Sequence, residues 1–498
     1  MGSSIQADIL KLAASNGVLI DPDAFKQLEN RRDAVERLER IIRSFSIPPL
    51  IITPDMVAEG EPQAASAEYS PTADPPAPVR TVGHISSTPS PPRVLKDVTG
   101  NSTSRGDVKD FAKYFTDRFH SLKKILMRRG DMAGAMPISN ATRLNREVRV
   151  IGIVNSIHTT KNGHRILEIE DEDERCTVLL MADRKEESIL KDEVIGIRGR
   201  MNKERSMLVA DAVIRPDIPF NRTTERIDST SKVAVLSDTH VGSKTFLREE
   251  WDLMLDWLKH SPEAKDINYV IISGDLADGI GVYPDQEDDL EIDDVYAQYE
   301  RVARYVSELP DWMRLILMPG NHDAVRPAEP QPTFQIELRK MFDSRVTFVG
   351  NPATIELEGR NVLAYHGRSF DDIISSLPHL SWENPVEAMK EMLKRRHLAP
   401  VYGEKTPLAP EKKDYMVIDE IPDVFITGHV HSYGLDEYRG VKLISGSTWQ
   451  SQTSYQKMRN ISPIPAKMPV FDLSSLSLNV VNFSEFRNRQ KHVVSRIL

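Results

Sequence analysis

Six short apolar runs between residues 230 and 450 constrain the fold of this chain most. They alternate with stretches of helical periodicity, and each has the length of a buried strand. In chain order they cover residues 233–236, 269–272, 315–318, 362–365, 424–426 and 441–444. Strands that are apolar on both faces need helices or a second sheet to cover them. The pattern therefore predicts a layered α/β domain over 230–498.

Residues with metal-ligand chemistry directly follow the first five runs. In chain order they are Asp238, His240, Asp275, Asp278, Asn321, His322, Asp323, His366, His429 and His431. Residues i and i+2 of an extended segment point to the same side, so Asp238 and His240 can bind one ion. Glycines before Asp275, Asn321 and His429 allow sharp backbone turns. Each motif alone is weak evidence. Together they predict a centre in which one carboxylate bridges two metal ions.

The composition limits the metal and the compartment. A single cysteine, Cys176, in 498 residues excludes a disulfide framework and fits a reducing cytoplasm. Imidazole, carboxylate and amide ligands suit Mn²⁺, which we favour, but Fe, Zn²⁺ and Ni²⁺ stay open. No apolar run approaches the roughly 20 residues that span a bilayer, so we expect no membrane contact. The net charge of −10 argues against a protein that coats DNA, but not against an enzyme acting on it.

The N-terminal half contains four predicted segments. Helical spacing of apolar residues predicts a helical module over 1–47. The Pro-, Ser- and Ala-rich stretch 48–106 is predicted to be a disordered linker. A helical connector follows over 107–145. Its polar side, which includes Arg118, is basic, and we expect it to face solvent rather than to contact nucleic acid. Five short strands over 146–220 predict a small barrel of the OB type. These strands lack aromatic residues, which favours a structural barrel over one that binds single strands.

The motif order over 230–450 resembles the calcineurin-like metallophosphoesterase superfamily, whose domain has αββα layers. The resemblance implies two overlapping ligand sets: Asp238, His240, Asp275 and His431 for one ion, and Asp275, Asn321, His366 and His429 for the other. His322 would be the general acid near the leaving oxygen, and Asp278 and Asp323 would support the ligands. Attack on phosphorus would come from a hydroxide activated by both cations.

Two local features bear on the substrate. Ser/Thr phosphatases of this superfamily have an arginine after the second motif, whereas here Asp278 is followed by Gly279, Ile280 and Gly281. A phosphatase is therefore disfavoured. The acidic segment 283–294 is predicted to be a solvated loop rather than a further cation site.

The order of helical module, Pro-rich linker, barrel and phosphoesterase domain is similar to that of the small subunits of archaeal D-family DNA polymerases. The matching stretches are 237–243, 319–323, 363–372, 427–431 and 463–473. In that family the small subunit is the proofreading 3′–5′ exonuclease, and a separate large subunit polymerises. The resemblance implies three partners: the large subunit, the primer 3′ end and, through the complex, a sliding clamp. We expect the barrel and residues 470–478 to contact the large subunit. A non-catalytic scaffold and a stand-alone phosphoesterase are the alternatives.

Overall fold

The computed structural model describes residues 9, 12–13, 19–20, 22–29, 31, 33–44, 51–52, 57, 89–182, 188–458 and 460–487. The chain divides into two units, one of residues 85–484 and the other of residues 1–84 with 485–498. Among the described helices, none is long and apolar enough to cross a membrane. The mixed α/β, multidomain character predicted from the sequence is confirmed.

The described residues of the smaller unit include two helices and a pair of parallel strands. In chain order these are β1 (Leu19–Ile20), α1 (Pro22–Glu29), α2 (Ala34–Ser44) and β2 (Ile51–Ile52). Leu28 of α1 and Leu38 of α2 are fully buried in one apolar cluster with Ile52 of β2. In each helix the buried apolar residues are four positions apart, as in Ala24 and Leu28 or Ala34 and Leu38, which is typical of an amphipathic helix with one apolar stripe.

The predicted disordered linker is wrong over its last residues. Strand β3 (Arg93–Lys96) pairs antiparallel with β13 (Ala353–Leu357). Beyond it, the backbone N–H of Ser104 donates to the Glu411 carboxylate at 2.9 Å. Few apolar residues mark this segment because its strand is held by backbone pairing to an existing sheet edge. Residues 58–88 lie outside the described part of the chain.

A closed five-stranded barrel follows two helices and a 3₁₀ turn. The helices are α3 (Val108–Met127) and α4 (Ile138–Ala141), with the turn at Gly130–Met132 between them. The strands are β4 (Glu147–Thr159), β5 (Arg165–Glu170), β6 (Arg175–Leu180), β7 (Val194–Met201) and β8 (Leu208–Ile214), closed in the order β4-β5-β6-β8-β7. Alternate residues such as Leu167 and Ile169 fill the interior. The predicted barrel is confirmed.

Two six-stranded sheets form the larger domain. The first has the order β12-β11-β10-β9-β18-β19, with β9 (Lys232–Leu236), β10 (Ile267–Ser273), β11 (Arg314–Met318), β12 (Val346–Phe348), β18 (Lys467–Asp472) and β19 (Leu478–Asn482). The second has the order β16-β17-β15-β14-β13-β3, with β14 (Arg360–Ala364), β15 (Val424–Thr427), β16 (Gly434–Tyr438) and β17 (Val441–Ser445) added to β13 and β3. The remaining helices are α5 (Arg248–His260), α6 (Val295–Ser307), α7 (Ile336–Arg339), α8 (Phe370–Ser376), α9 (Pro385–Arg395) and α10 (Ser454–Met458).

The two sheets pack face to face, with helices on both outer faces. Val235 and Ile271 of the first sheet share one buried cluster with Ile355 and Ile426 of the second. Helices α5 and α6 cover the first sheet, and α8 and α9 cover the second. The central strands of each sheet are parallel. They are β9, β10 and β11 in the first sheet and β14, β15 and β17 in the second. Polar loops follow the carboxyl ends of five of these strands, where α/β folds place their chemistry.

Two surface predictions are wrong. Arg118, assigned to a basic solvated face, is fully buried, and its Nε donates to the Asp414 carboxylate at 2.8 Å. Arg118 therefore has its partner inside the fold, whereas Lys113 and Lys124 of the same helix are exposed. Residues 470–478, expected at a subunit interface, fill the chain's own core: β18 pairs with β9, and Phe471 and Leu473 lie between the sheets.

Candidate metal centre

The loops after β9, β10, β11, β14 and β15 bring the predicted ligands together. Five of these ligands have a left-handed backbone, with φ between 45° and 71°: Asp238, His240, Asp275, His429 and His431. This conformation costs an L-residue roughly 1–2 kcal/mol. It persists where surrounding contacts over-determine it, and such strain is concentrated at functional sites. Here the N–H of Asp238 donates to Gly274 O and that of His240 donates to Asp275 O, each at 3.0 Å.

Asp238, His240 and His431 form the first ligand group. Their ligand atoms all lie within 4.8 Å of one another. The Nε2 atoms of His240 and His431 are 3.0 Å apart, and His431 Nε2 is 3.4 Å from Asp238 Oδ1. All three side chains are buried. The ligand atoms of three side chains therefore face one small volume.

Asp275, His366 and His429 form the second group, again within 4.8 Å. His366 Nε2 lies 3.2 Å from Asp275 Oδ2 and 3.1 Å from Asn321 Oδ1. His366 Nδ1 donates to Ser273 O at 2.9 Å, which leaves Nε2 unprotonated in the neutral ring. Asn321 thus joins this group through its amide oxygen.

Asp275 lies between the two groups. Its Oδ2 is 3.2 Å from His366 Nε2 and 3.7 Å from His240 Nε2. Two glycines make room for the loops that carry Asp275 and Asp238. A Cβ on Gly320 would lie 2.2 Å from Asp275 Oδ1, and a Cβ on Gly428 would lie 1.8 Å from Ser237 Oγ. Neither position can hold a larger residue without displacing a loop that carries a ligand.

The donor set fits two divalent cations. Four imidazoles, two carboxylates and one amide oxygen, assembled from Asp238, His240, Asp275, Asn321, His366, His429 and His431, suit borderline cations such as Mn²⁺, Fe²⁺ and Zn²⁺. A second observation supports the fit. Two imidazole nitrogens that face each other at 3.0 Å can share only one proton, and a shared cation satisfies both.

Burial and mutual contact shift the pKa values of these groups. Burial lowers the pKa of His240, which keeps this ring in the neutral form that binds metal. Burial acts to raise the pKa of Asp275, but the neighbouring His366 and His322 rings outweigh it and hold this pKa well below the ordinary value. Burial also opposes the charge on His366, yet Asp275 raises the pKa of His366 to about 10. A cation that binds here competes with that proton.

Asp278 contacts a ligand from outside the cluster. Its Oδ1 lies 3.0 Å from His240 Nδ1, the arrangement that orients metal-binding histidines. Gln450 Nε2 donates to the same oxygen at 3.1 Å, and Gln286 Nε2 donates to Oδ2 at 2.9 Å. The Asp278 carbonyl accepts a hydrogen bond from His322 Nδ1 at 2.8 Å. One residue therefore positions both His240 and His322.

His322, the predicted general acid, lies at the centre. One of its ring nitrogens is within 4.8 Å of ligand atoms of His240 and Asp275. Its ring meets that of His240 edge to face, at 4.7 Å between centroids. Because a carbonyl can only accept, Nδ1 carries a proton, and Nε2 is the atom available to a substrate.

Asp323 supports the loops rather than a ligand side chain. Its carboxylate accepts hydrogen bonds from the N–H groups of Gly320 at 2.8 Å and Leu276 at 3.1 Å. Tyr299 OH donates to its other oxygen at 2.7 Å. Burial, reinforced by Asp275, raises the pKa of Asp323 to about 6. Asp323 thus connects the loops after β10 and β11.

Two charged residues beside the centre were missed in the sequence. Asp371 Oδ1 lies 3.6 Å from His429 Nε2. Arg368 follows His366 by two residues, and within the described part of the chain its guanidinium has no hydrogen-bond or ion-pair partner, although its Nε is buried. The sequence did carry a signal for Arg368, since it is a positive charge two residues after a predicted ligand.

Similarity to known proteins covers most of the chain. Residues 233–434 match the B-subunit family of DNA polymerases alpha and epsilon. The DNA polymerase II small subunit of Thermoplasma acidophilum is 44% identical over 394 residues, covering 78% of this chain and 80% of that protein. That of Archaeoglobus fulgidus is 44% identical, covering 76% and 78%. That of Halobacterium salinarum is 35% identical and covers 96% and 98%.

Proposed function

This chain belongs to the family of archaeal DNA polymerase II small subunits, and on that premise we propose that it is a metal-dependent 3′–5′ DNA exonuclease. As a proofreading subunit it would remove nucleotides from the primer end that a large catalytic subunit extends. Its partners would be that subunit, the primer 3′ end and, through the complex, a sliding clamp. The helix–sheet–sheet–helix domain would be of the calcineurin-like phosphoesterase type, and the barrel of the OB type.

The observation that carries this proposal is the set of strained, convergent ligands. Five non-glycine residues in left-handed conformations together cost on the order of 5 kcal/mol. A subunit that only bound a partner would have no use for this backbone strain. In a metal centre, the strained conformations would place seven donors around two cations.

Two divalent cations would supply Lewis acidity and activate water at this centre. The chain's own residues then have separate tasks. His322, whose Nδ1–H donates to the Asp278 carbonyl, can act as an acid in its doubly protonated form, which passes the Nε2 proton to the leaving 3′ oxygen. Arg368 can donate to a non-bridging phosphoryl oxygen, because its guanidinium has no hydrogen-bond or ion-pair partner among the described residues. Breaking the P–O3′ bond would release a 5′-mononucleotide.

The test is hydrolysis of a 3′-mismatched primer by the purified full chain with Mn²⁺. The parent is compared with Asp275→Asn and His431→Ala, each of which removes a donor from the centre. We expect activity to fall at least a hundredfold in both variants. Asp275→Asn changes a ligand shared by both metal positions, and His431→Ala removes a ligand of one of them. His260→Ala is the matched control, since His260 is exposed and pairs, among the described residues, with Asp256 alone.

Two outcomes would contradict the proposal. Primer degradation by Asp275→Asn at the parent's rate would show that the activity comes from another site or protein. Absence of hydrolysis by the parent, alone and with its large subunit, together with no thermal stabilisation by Mn²⁺, would favour the non-catalytic scaffold.

A further inference from the structure

Two tyrosines form an aromatic pair beside His322. The rings of Tyr283 and Tyr455 have centroids 5.4 Å apart with planes inclined by 33°. The Tyr283 ring is also 6.3 Å from the His322 ring. Both tyrosines are only half-buried. Their segments are 172 residues apart in the chain, so the pair is assembled by the fold at the edge of the metal centre.

Each tyrosine lies close to a buried glutamine that contacts the centre. Gln286, three residues after Tyr283, donates to the carbonyl and the carboxylate of Asp278, both at 2.9 Å. Gln456, directly after Tyr455, places its Nε2 2.9 Å from His431 Nδ1. The positions of both rings are therefore coupled to residues that orient metal ligands, and a substrate on the rings is held relative to those ligands.

Apolar side chains extend this surface into solvent. Ile280 and Val282, beside Tyr283, are 44% and 37% exposed, and Met458, one turn after Tyr455, is 76% exposed. Acidic residues of the same loop, including Asp285 and Asp288, are exposed as well. These charges repel phosphate, so the ligand that suits the surface is a flat, neutral group. A nucleobase meets that description, and aromatic side chains bind bases of any sequence by stacking.

We propose, resting on the proposed function, that Tyr283 and Tyr455 stack on the base of the penultimate nucleotide of the primer. His322 is assigned to the leaving 3′ oxygen, and in 3′–5′ hydrolysis that oxygen belongs to the penultimate nucleotide. The base of this nucleotide is attached to the sugar whose 3′ oxygen is placed beside His322, and the Tyr283 ring centroid lies 6.3 Å from that of His322. Stacking there requires the last two nucleotides to be unpaired, which selects frayed or mismatched ends over paired ends.

The test measures stacking independently of hydrolysis. Single-stranded oligonucleotides carry 2-aminopurine at the terminal, penultimate or tenth position from the 3′ end, with a phosphorothioate as the slowly cleaved last linkage. Their fluorescence is titrated with the full chain in Mn²⁺. We expect strong quenching at the penultimate position alone. In Tyr283→Leu and Tyr455→Leu we expect that quenching to be lost and binding to weaken roughly five- to a hundredfold.

Two variants serve as controls. Tyr283→Phe keeps the ring and should retain the quenching. Tyr296→Leu removes an exposed tyrosine of α6 and should change nothing. Equal quenching at all three positions, or penultimate quenching that survives both leucine variants with their thermal unfolding unchanged, overturns the proposal. Hydrolysis assays on the same proteins keep the two ideas apart: penultimate quenching without cleavage supports stacking and refutes the exonuclease, and cleavage without quenching does the reverse.

Discussion

Asp278→Asn tests how the centre orients its ligands. The Asp278 carboxylate accepts from three side chains: His240 at 3.0 Å, Gln450 at 3.1 Å and Gln286 at 2.9 Å. Burial acts to raise the pKa of Asp278, but the His240 contact outweighs it and lowers this pKa below the ordinary value. The group is therefore a carboxylate that only accepts. Asparagine replaces one accepting oxygen by an N–H₂ group, which faces a donor in either amide orientation.

The expected loss follows from these contacts. A hydrogen bond to a charged group contributes about 1.5–3 kcal/mol, and losing one from a metal-bound histidine weakens metal binding roughly 10- to 100-fold. The two magnitudes agree, since a tenfold change corresponds to about 1.4 kcal/mol. We expect Asp278→Asn to weaken Mn²⁺ binding by one to two orders of magnitude at the site that contains His240 and to leave the other site nearly unchanged.

Calorimetric titration of the metal-free full chain with Mn²⁺ measures both sites. Asp256→Asn is the matched control, because Asp256 pairs with His260 Nδ1 at 2.9 Å in the same way but on the surface. The control should bind Mn²⁺ as the parent does. Parental affinity at both sites of Asp278→Asn, with its thermal unfolding unchanged, would refute the reasoning that this carboxylate orients a metal ligand.

Three further predictions follow from buried or unpaired charges. Burial raises the pKa of Glu329 from 4.5 to about 7. Between these pH values the folded state holds a proton that the unfolded state has lost, so the free energy of unfolding falls as pH rises through them. We expect this fall to be about 3 kcal/mol in the parent and to be absent from Glu329→Gln, as measured by urea unfolding at pH 5 and pH 8. Equal pH dependence of the two proteins would contradict this. Arg368→Gln should lower kcat/KM for DNA roughly ten- to a hundredfold without changing Mn²⁺ affinity, and Arg368→Lys should lie between, as steady-state kinetics will show. An unchanged kcat/KM would remove Arg368 from the site. Arg118→Met should destabilise the fold by roughly 3 kcal/mol in chemical denaturation, because it leaves the buried Asp414 carboxylate without its guanidinium partner. Lys113→Met, on the exposed side of the same helix, is its control and should be nearly neutral.

The ligand positions could be predicted because their signals are local. An apolar run followed within three residues by Asp, Asn or His marks a strand end, and parallel strands bring such ends to one edge. The same reasoning predicted the strands of the barrel, since turn residues and alternation are also read within about ten residues. The left-handed backbone of the ligands has no such signal, because even Asp and His, which adopt it more often than other non-glycine residues, do so uncommonly.

The errors and omissions concern contacts between distant segments. Strand β3 exists because Arg93 to Lys96 meet an edge strand about 260 residues later in the chain. Arg118 is buried because Asp414 lies beside it, 296 residues away. Tyr283 and Tyr455 are paired only in the folded chain. Propensity and periodicity carry no information about such partners, so a helix face or a loop looks solvated until its neighbour is known.

The central claim is that seven side chains hold two cations on either side of Asp275. Anomalous diffraction at the manganese edge, from crystals of the full chain grown with Mn²⁺, tests it most directly. We predict two peaks about 3.5–4 Å apart, one beside His240 and His431 and the other beside His366 and His429. The absence of both peaks from this position, in crystals that bind Mn²⁺ elsewhere, would contradict the account.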